Sequence, residues 1–211
     1  MKLKKKLLKK SRLYIILDKK AIGKIPLSRV ASGLKNSKAG LIQLRDKGEI
    51  KSQLLREALF LQKFFAGTNK LFIINDRVEL ARIVDSDGVH LGQTDTSIKT
   101  ARRIFGKDKI IGISCHNLKQ AVEAQESGAD YIGFGPIFAT PTKPEYKPVG
   151  LSLLKKLKKR IKIPVFAIGN INKGNLSDVI NAGAKRVAVC RAVFNQKNIR
   201  NQADYFADYL N

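Results

Sequence analysis

The segment Gln43-Leu44-Arg45-Asp46-Lys47 follows an apolar run and carries cations and an amide at alternate positions. In an extended strand alternate residues share one face, so Gln43, Arg45 and Lys47 are predicted to point the same way. Two cations and an amide on a buried face are costly unless they meet an anion. Arginine offers a fork of donors to phosphate oxygens and lysine a compact charge. The pattern predicts a site for a phosphate-bearing ligand, and the alternative is a frayed strand end with solvated charges.

Two aspartates stand in comparable places after the next two apolar runs. Asp76 follows the third run in the order Asn-Asp-Arg, and Asp95 follows the fourth run in the order Gly-Gln-Thr-Asp. Paired carboxylates beside phosphate-seeking cations suit Mg²⁺, which takes one or two carboxylates together with substrate phosphate oxygens. The alternative is that each aspartate caps a following helix, a role that Thr96 or Ser97 could equally fill for a helix at 96–105.

Polar and glycine-rich segments also follow the fifth to eighth apolar runs. Gly169 and Asn170 both tolerate left-handed backbone geometry, which suits a group of N–H donors around an anion, although a simple turn is the alternative. His90, inside the fourth run, is interpreted as a core histidine. The further candidate residues are Ser114 and His116 after the fifth run; Thr140, Pro141, Thr142 and Lys143 after the sixth; Gly169 and Asn170 after the seventh; and Cys190 and Arg191 after the eighth.

Eight apolar runs rich in β-forming residues must position these side chains. Segments whose apolar residues recur at helical spacing lie between several of the runs. Most runs are continuously apolar, as expected of parallel strands buried on both faces. Eight strands alternating with helices predict one (β/α)8 TIM barrel, with an open doubly wound sheet as the alternative. Such a barrel places its chemistry at the carboxyl ends of the strands. The predicted strands are 13–17, 40–44, 71–75, 88–91, 110–114, 131–135, 165–169 and 186–190, and the clearest helices are 50–66, 117–128 and 151–160.

Composition limits the function classes. The chain has 211 residues, suits a single domain over 1–211, and starts with a basic extension at about 1–12 that lacks the long apolar region of a signal peptide. No apolar run approaches the roughly 20 residues that span a bilayer. Cys115 and Cys190 lie in apolar runs, which indicates reduced thiols in a cytoplasmic protein. The net charge of +24 is dispersed along the chain, so we predict an anionic substrate and no specific nucleic-acid binding.

At the level of motifs, the chain resembles the thiamine phosphate synthase (thiamine-phosphate pyrophosphorylase) family over nearly its full length. Several of the matching pieces are specific, and they occur in the order typical of that family. They are QLRDK (43–47), NDR (75–77), DGVHLGQTD (87–95), GISCH (112–116), GADYIGFGPIFATPTK (128–143) and AIGNI (167–171).

The resemblance implies an enzyme that joins hydroxymethylpyrimidine diphosphate to hydroxyethylthiazole phosphate, giving thiamine phosphate and diphosphate. It implies Mg²⁺ bound by Asp76 and Asp95. It also implies that the QLRDK segment, Asn75 and Ser114 hold the pyrimidine diphosphate, that Lys143 contacts the diphosphate, and that Thr140 and Thr142 contact the thiazole phosphate. Backbone at 169–170 and 190–191 would seat that phosphate, and a homodimer is typical of the family.

The chain departs from the family pattern at two positions of this predicted phosphate seat. Asn170 stands where a second glycine is usual, and Arg191 stands where a serine is usual. Two other functions are alternatives to the synthase. One is a related thiazole tautomerase that uses His116, and the other is a basic barrel that binds nucleic acid or phosphorylated metabolites without catalysis. The retained Gln-x-Arg-x-Lys face and the two aspartates favour the synthase.

Overall fold

The fold is a closed barrel of eight parallel strands in sequential order. A computed structural model of the chain describes residues 2–48, 51–141, 146–157, 160–194 and 198–210. The predicted (β/α)8 barrel is confirmed, and the open-sheet alternative is wrong because β8 pairs with β1. The strands are β1 (Leu13–Asp18), β2 (Leu41–Arg45), β3 (Leu71–Asn75), β4 (Gly88–Leu91), β5 (Ile110–Cys115), β6 (Tyr131–Phe134), β7 (Val165–Ile168) and β8 (Val187–Val189).

Helices surround the barrel, and at least one follows each of the eight strands. The three helices predicted most clearly are present as α4, α7 and α8: α4 ends one residue early, α7 is shorter than predicted at both ends, and α8 begins one residue early, at Gly150. For α7 the cause is local, because the Asn117 side chain accepts a hydrogen bond from the Gln120 N–H and caps the helix. The helices are α1 (Lys2–Lys10), α2 (Lys19–Ile22), α3 (Leu27–Lys35), α4 (Lys51–Phe65), α5 (Val78–Ile83), α6 (Ile98–Phe105), α7 (Leu118–Glu126), α8 (Gly150–Leu157), α9 (Leu176–Asn181), α10 (Arg191–Phe194) and α11 (Ile199–Asp208).

Apolar side chains form two clusters separated by the barrel wall. The larger lies between the strands and the helices, and the smaller fills the barrel interior. The Tyr131 ring lies in the interior across Gly112, where a Cβ would stand 2.1 Å from the ring carbon Cζ. Gly112 therefore leaves the space that the aromatic ring occupies. None of the helices in the described ranges is long and apolar enough to cross a bilayer.

The basic start of the chain is a helix packed against the barrel. Leu8 is buried in the interior cluster, with Leu7 packed against it. Lys4 and Lys5 form ion pairs with Asp87 and Asp130, at 2.7 and 3.1 Å. Both aspartates directly precede strands, β4 and β6, so α1 covers the amino-terminal end of the barrel. The predicted extension thus closes the end of the barrel opposite to the strand termini that carry the candidate chemistry.

Truncating this contact is expected to destabilise the fold. Leu8→Ala should lower the free energy of unfolding by about 2–5 kcal/mol, because it removes a buried leucine from a packed cluster. Leu3→Ala is the matched control, since Leu3 lies on the same helix with 67% of its surface exposed. Urea unfolding measures both variants. Equal stability of the two would show that α1 does not contribute to the barrel core.

Candidate active site

A cavity of about 400 Å³ opens at the carboxyl ends of the strands. This is the end of the barrel where the sequence predicts the chemistry. Eleven of the predicted residues line this cavity: Gln43, Arg45, Asn75, Ser114, His116, Thr140, Pro141, Gly169, Asn170, Cys190 and Arg191. They come from strands that are far apart in sequence, which barrel closure places around one opening.

The remaining predicted residues lie elsewhere. Leu44 is buried in the cluster between the barrel and the helices, because its side chain alternates with Gln43 and Arg45. The carboxylate of Asp46 accepts a hydrogen bond from the Gly48 N–H at 2.7 Å and does not line the cavity. Thr142 and Lys143 lie outside the described residues.

Lys47 departs from the predicted shared face. Strand β2 ends at Arg45, so the alternation of side chains no longer holds two residues later. The exposed Lys47 ammonium instead donates to the carboxylate of Asp76, which follows the neighbouring strand β3. Lys47 therefore contributes its charge beside the predicted metal ligands.

The two predicted metal ligands are in contact. The carboxyl of Asp95 hydrogen-bonds to that of Asp76, and burial, followed by this neighbour, raises the pKa of Asp95 above its ordinary range. The Gly92 N–H donates to Asp95 Oδ2 at 2.7 Å and holds the side chain in place. Two carboxyl groups in direct contact repel each other when both are ionised, and a bound cation would offset that negative charge.

The capping alternative for Asp95 is wrong. Ser97 caps α6 by accepting a hydrogen bond from the Thr100 N–H at 3.2 Å. No side chain caps α5, the helix after Asp76. Asp76 instead occupies the left-handed region, with φ of 59°, and its N–H donates to the His90 carbonyl at 2.7 Å.

The donor set fits a magnesium ion that shares its coordination with a substrate. Across the described ranges no group of three or more His, Cys, Asp or Glu side chains could hold a metal by protein ligands alone. Two carboxylates plus phosphate oxygens and water are the set that Mg²⁺ commonly takes. Asp76 and Asp95 are therefore the residues that would hold it.

Asp18 is a site residue that sequence reasoning missed. It ends β1, is 4% exposed, and accepts a hydrogen bond from the Arg45 guanidinium. It also caps α2 by accepting from the N–H groups of Lys20 and Ala21, at 3.0 and 3.1 Å. The signal was present, since Asp18 closes the first apolar run just as Arg45 closes the second. The Asp18 carboxylate thus positions the Arg45 guanidinium at the cavity wall.

A buried chain of polar groups runs below the cavity. The Gln43 amide donates to the Tyr14 hydroxyl, which lies 2.8 Å from the Tyr131 hydroxyl. His90 Nδ1 is 3.0 Å from that second hydroxyl, and His90 Nε2 is 3.0 Å from Ser114 Oγ. Tyr14 and Tyr131 were not among the candidate residues. His90 is buried and hydrogen-bonded, as predicted, but it also lines the cavity.

The turn after β7 has the backbone geometry expected of an anion seat. Gly169 has φ of 114° and Asn170 has φ of 51°. A Cβ on Gly169 would stand 2.5 Å from Pro136 Cα, so this position also needs glycine for close packing. The Asn170 carbonyl accepts from the side-chain amides of Asn172 and Asn175, at 3.2 and 3.0 Å. These two amides, which the sequence analysis did not identify, stabilise the conformation of the turn.

His116 lies between the cavity and the loop after β6. Its Nδ1 carries a hydrogen, because the partner is the Gly135 carbonyl, which can only accept. The imidazole stacks on the Tyr146 ring with centroids 4.0 Å apart. The ring is thus held from two sides at the cavity wall.

Neither cysteine is set up as a nucleophile. Burial raises the pKa of the Cys115 thiol to about 12 and that of the Cys190 thiol, which lines the cavity, to about 12. Both thiols are free and remain protonated at neutral pH.

We expect iodoacetamide to modify the folded protein slowly at every pH up to about 9, because only the thiolate reacts and the raised pKa keeps its fraction small. Mass spectrometry of the native and the urea-unfolded protein measures this, the unfolded chain serving as the control. Alkylation of the native protein with an apparent pKa near 8.5 would contradict the protonated state.

The fold and the site define the class: a (β/α)8-barrel enzyme whose strand ends gather cations, a carboxylate pair and a backbone turn around one cavity. Residues 13–193 match the family described as thiamine monophosphate synthase. The chain belongs to that family.

Individual relatives cover nearly the whole chain. The thiamine-phosphate synthase of Methanosarcina barkeri is 38% identical over 208 residues, covering 98% of this chain and 94% of the relative. That of Persephonella marina is 40% identical over 193 residues, covering 91% and 92%. The solved structure of a thiamine phosphate pyrophosphorylase from Pyrococcus furiosus superimposes with a TM-score of 0.85 at 33% identity, covering 98% of this chain and 96% of that chain.

Proposed function

We propose that this protein is a thiamine-phosphate synthase that joins hydroxymethylpyrimidine diphosphate to hydroxyethylthiazole phosphate and releases diphosphate. One observation carries the proposal beyond family membership. The cationic end of β2, the carboxylate pair after β3 and β4, and the glycine turn after β7 all meet at one end of the barrel. Each belongs to a segment that matches the family pattern in sequence.

The cations and the acid pair would bind the diphosphate. Arg45, set by Asp18, and Lys47, beside Asp76, offer donors to phosphate oxygens. Asp76 and Asp95 would hold Mg²⁺, which when bound would offset charge on the diphosphate oxygens. The resemblance adds Lys143 to this group as a proposed diphosphate contact, together with Thr142 for the thiazole phosphate.

The reaction requires no protein nucleophile. The bond between the pyrimidine methylene carbon and the diphosphate oxygen would break, and the electron pair would leave with diphosphate. The lone pair of the thiazole nitrogen would then form the new C–N bond with the resulting cation. Arg45 and Lys47 would stabilise the charge that grows on the leaving group. Gln43 and Ser114 would orient the pyrimidine, and positioning of two substrates can supply up to about 7–11 kcal/mol.

Arg191 would add a side-chain donor to the thiazole-phosphate seat. It is exposed, starts α10 and lines the same cavity as Asn170. We expect Arg191→Ser, which restores the residue usual in the family, to raise KM for the thiazole phosphate about fivefold, since an exposed charged contact is worth roughly 1 kcal/mol. kcat should change little. Steady-state kinetics with each substrate varied measures this.

Arg160→Ser is the matched control for this prediction, because Arg160 is exposed and precedes β7, at the opposite end of the barrel. It should leave both KM values unchanged. A lower KM for the thiazole phosphate in Arg191→Ser would mean that the arginine obstructs the seat.

The proposed function is tested by mixing the pure protein with both phosphorylated precursors and Mg²⁺, and assaying thiamine phosphate and diphosphate. Omitting each component in turn should abolish both products. Isomerisation of a thiazole phosphate without the pyrimidine or Mg²⁺ would instead favour the tautomerase, for which His116 lines the cavity. Absence of any product, with salt-steep duplex binding, would favour the binding-protein alternative.

We further propose that the protein is cytoplasmic, that it acts as a homodimer, and that its association with nucleic acid is weak and unspecific. Two free cysteines support the first statement. The family resemblance supports the second, and the dispersal of the charge along the chain supports the third.

A further inference from the structure

The polar chain below the cavity connects two cavity-lining residues on strands that are not neighbours in the barrel. Gln43 lies on β2 and Ser114 on β5, and three buried side chains link them: Tyr14 on β1, Tyr131 on β6 and His90 on β4. The three linking side chains form no part of the proposed chemistry. Their hydrogen bonds nevertheless end on two groups that would touch a ligand.

The direction of these hydrogen bonds follows from the donors available. The Gln43 amide N–H donates to Tyr14, so the Tyr14 hydroxyl is left to donate to Tyr131. The Tyr131 hydroxyl then donates to His90 Nδ1, which must lack a hydrogen, and His90 Nε2–H donates to Ser114 Oγ. The hydrogens of Tyr14, Tyr131 and His90 Nε2 then each have one acceptor. The Ser114 hydroxyl hydrogen is then free to point into the cavity.

The reverse direction is less favourable. If His90 Nδ1 carried the hydrogen, Tyr131 would accept from it and donate to Tyr14. The Tyr14 oxygen would then receive two hydrogen bonds, while its own hydrogen would have no acceptor among the described residues. A buried donor without an acceptor is destabilising. Burial also raises the pKa of both tyrosines, so the hydroxyls keep their hydrogens.

We propose that Tyr14, Tyr131 and His90 are positioning residues that hold His90 as the Nε2–H tautomer and so make Ser114 a hydrogen-bond donor to the bound ring. Under the proposed function, on which the identity of the ligand rests, the acceptor is a ring nitrogen of the pyrimidine. The polar chain therefore sets the donor and acceptor pattern of the cavity floor before the substrate arrives. A ring carrying an N–H where the pyrimidine has a bare nitrogen would lose this hydrogen bond from Ser114 and bind more weakly.

The tautomer can be measured without any substrate. The chain has only two histidines, so ¹⁵N-labelled imidazole signals are assigned by one His116→Gln variant. We expect His90 to be protonated at Nε2 and His116 at Nδ1, the latter because it donates to a backbone carbonyl. His116 is thus an internal control, since it is expected to show the opposite tautomer. A neutral His90 with its hydrogen on Nδ1 would overturn the proposal, whatever the protein catalyses.

Kinetics test the consequence for binding. Tyr131→Phe removes one hydroxyl with little change of volume, and it should mix the His90 tautomers and raise KM for the pyrimidine diphosphate about tenfold. KM for the thiazole phosphate and kcat should stay within about twofold, because orientation of Ser114 contributes equally to bound substrate and transition state. Tyr205→Phe, on α11 away from the barrel interior, is the control and should alter neither KM.

A double variant separates positioning from general packing. In a Ser114→Ala background, Tyr131→Phe should give no further rise in KM for the pyrimidine diphosphate, because the group it orients is gone. Additive effects of the two substitutions would overturn the proposal. If no thiamine phosphate forms at all, the proposed function fails, while the tautomer measurement still decides the direction of the polar chain.

Discussion

Asp76→Asn is expected to lower kcat by about 10²–10³-fold, because it removes one of two carboxylates that would hold Mg²⁺ against the leaving diphosphate. Asparagine is chosen because Asp76 has φ of 59°, a backbone conformation that asparagine tolerates well. The barrel should keep its stability. Single-turnover release of diphosphate, measured across a range of Mg²⁺ concentrations, reports the change.

The matched control for Asp76→Asn is Asp85→Asn. Asp85 also has a positive φ, of 52°, and also pairs with a lysine, Lys109, but its side chain is 84% exposed and lies away from the cavity. This control should retain full turnover. Wild-type kcat in Asp76→Asn at ordinary Mg²⁺ would remove Asp76 from the metal site, and equal losses in both variants would point to backbone strain.

Arg45→Gln is expected to lower both activity and stability. It removes a cation that would face the diphosphate, so kcat/KM should fall by about 10²–10³-fold. It also leaves the carboxylate of Asp18 buried without its partner, which typically costs about 3–5 kcal/mol in the free energy of unfolding. Urea unfolding and steady-state kinetics measure the two effects separately.

The double variant Asp18→Asn/Arg45→Gln distinguishes those effects. Asparagine keeps the cap on α2, since its side-chain oxygen can still accept from the Lys20 and Ala21 N–H groups. It carries no charge, so stability should return toward that of the wild type while activity stays low. Recovery of activity in the double variant would show that Arg45 acts only by neutralising Asp18.

Much of the site follows from strand-end positions that can be read in sequence. Gln43 and Arg45 end a run whose period of two places both in the cavity, and that pattern is local. The same rule applied to the first run identifies Asp18, although a single carboxylate at a strand end does not by itself indicate its partner. The pairing of Lys47 with Asp76 was not predicted, because β2 stops at Arg45 and no local pattern marks where pairing ends.

The amino-terminal segment shows a different limit. In sequence it is a basic extension, but in the structure two of its lysines pair with aspartates at positions 87 and 130, and Leu8 enters the barrel interior. Those partners lie on separate turns that meet only at the closed end of the barrel. A basic amphipathic segment has the same appearance in sequence whether or not such partners exist.

By itself, the sequence determined the number and order of the strands, the end of the barrel that carries the site, and the types of residue gathered there. These properties depend on hydrophobic runs and turns of a few residues each. Only the tertiary structure decided that Tyr14 meets Tyr131, 117 positions along the chain, that Asp18 holds Arg45, and that Asp76 touches Asp95. The reason is physical: barrel closure brings strands within hydrogen-bonding distance across its interior, and each contact then depends on side-chain packing that no local period encodes.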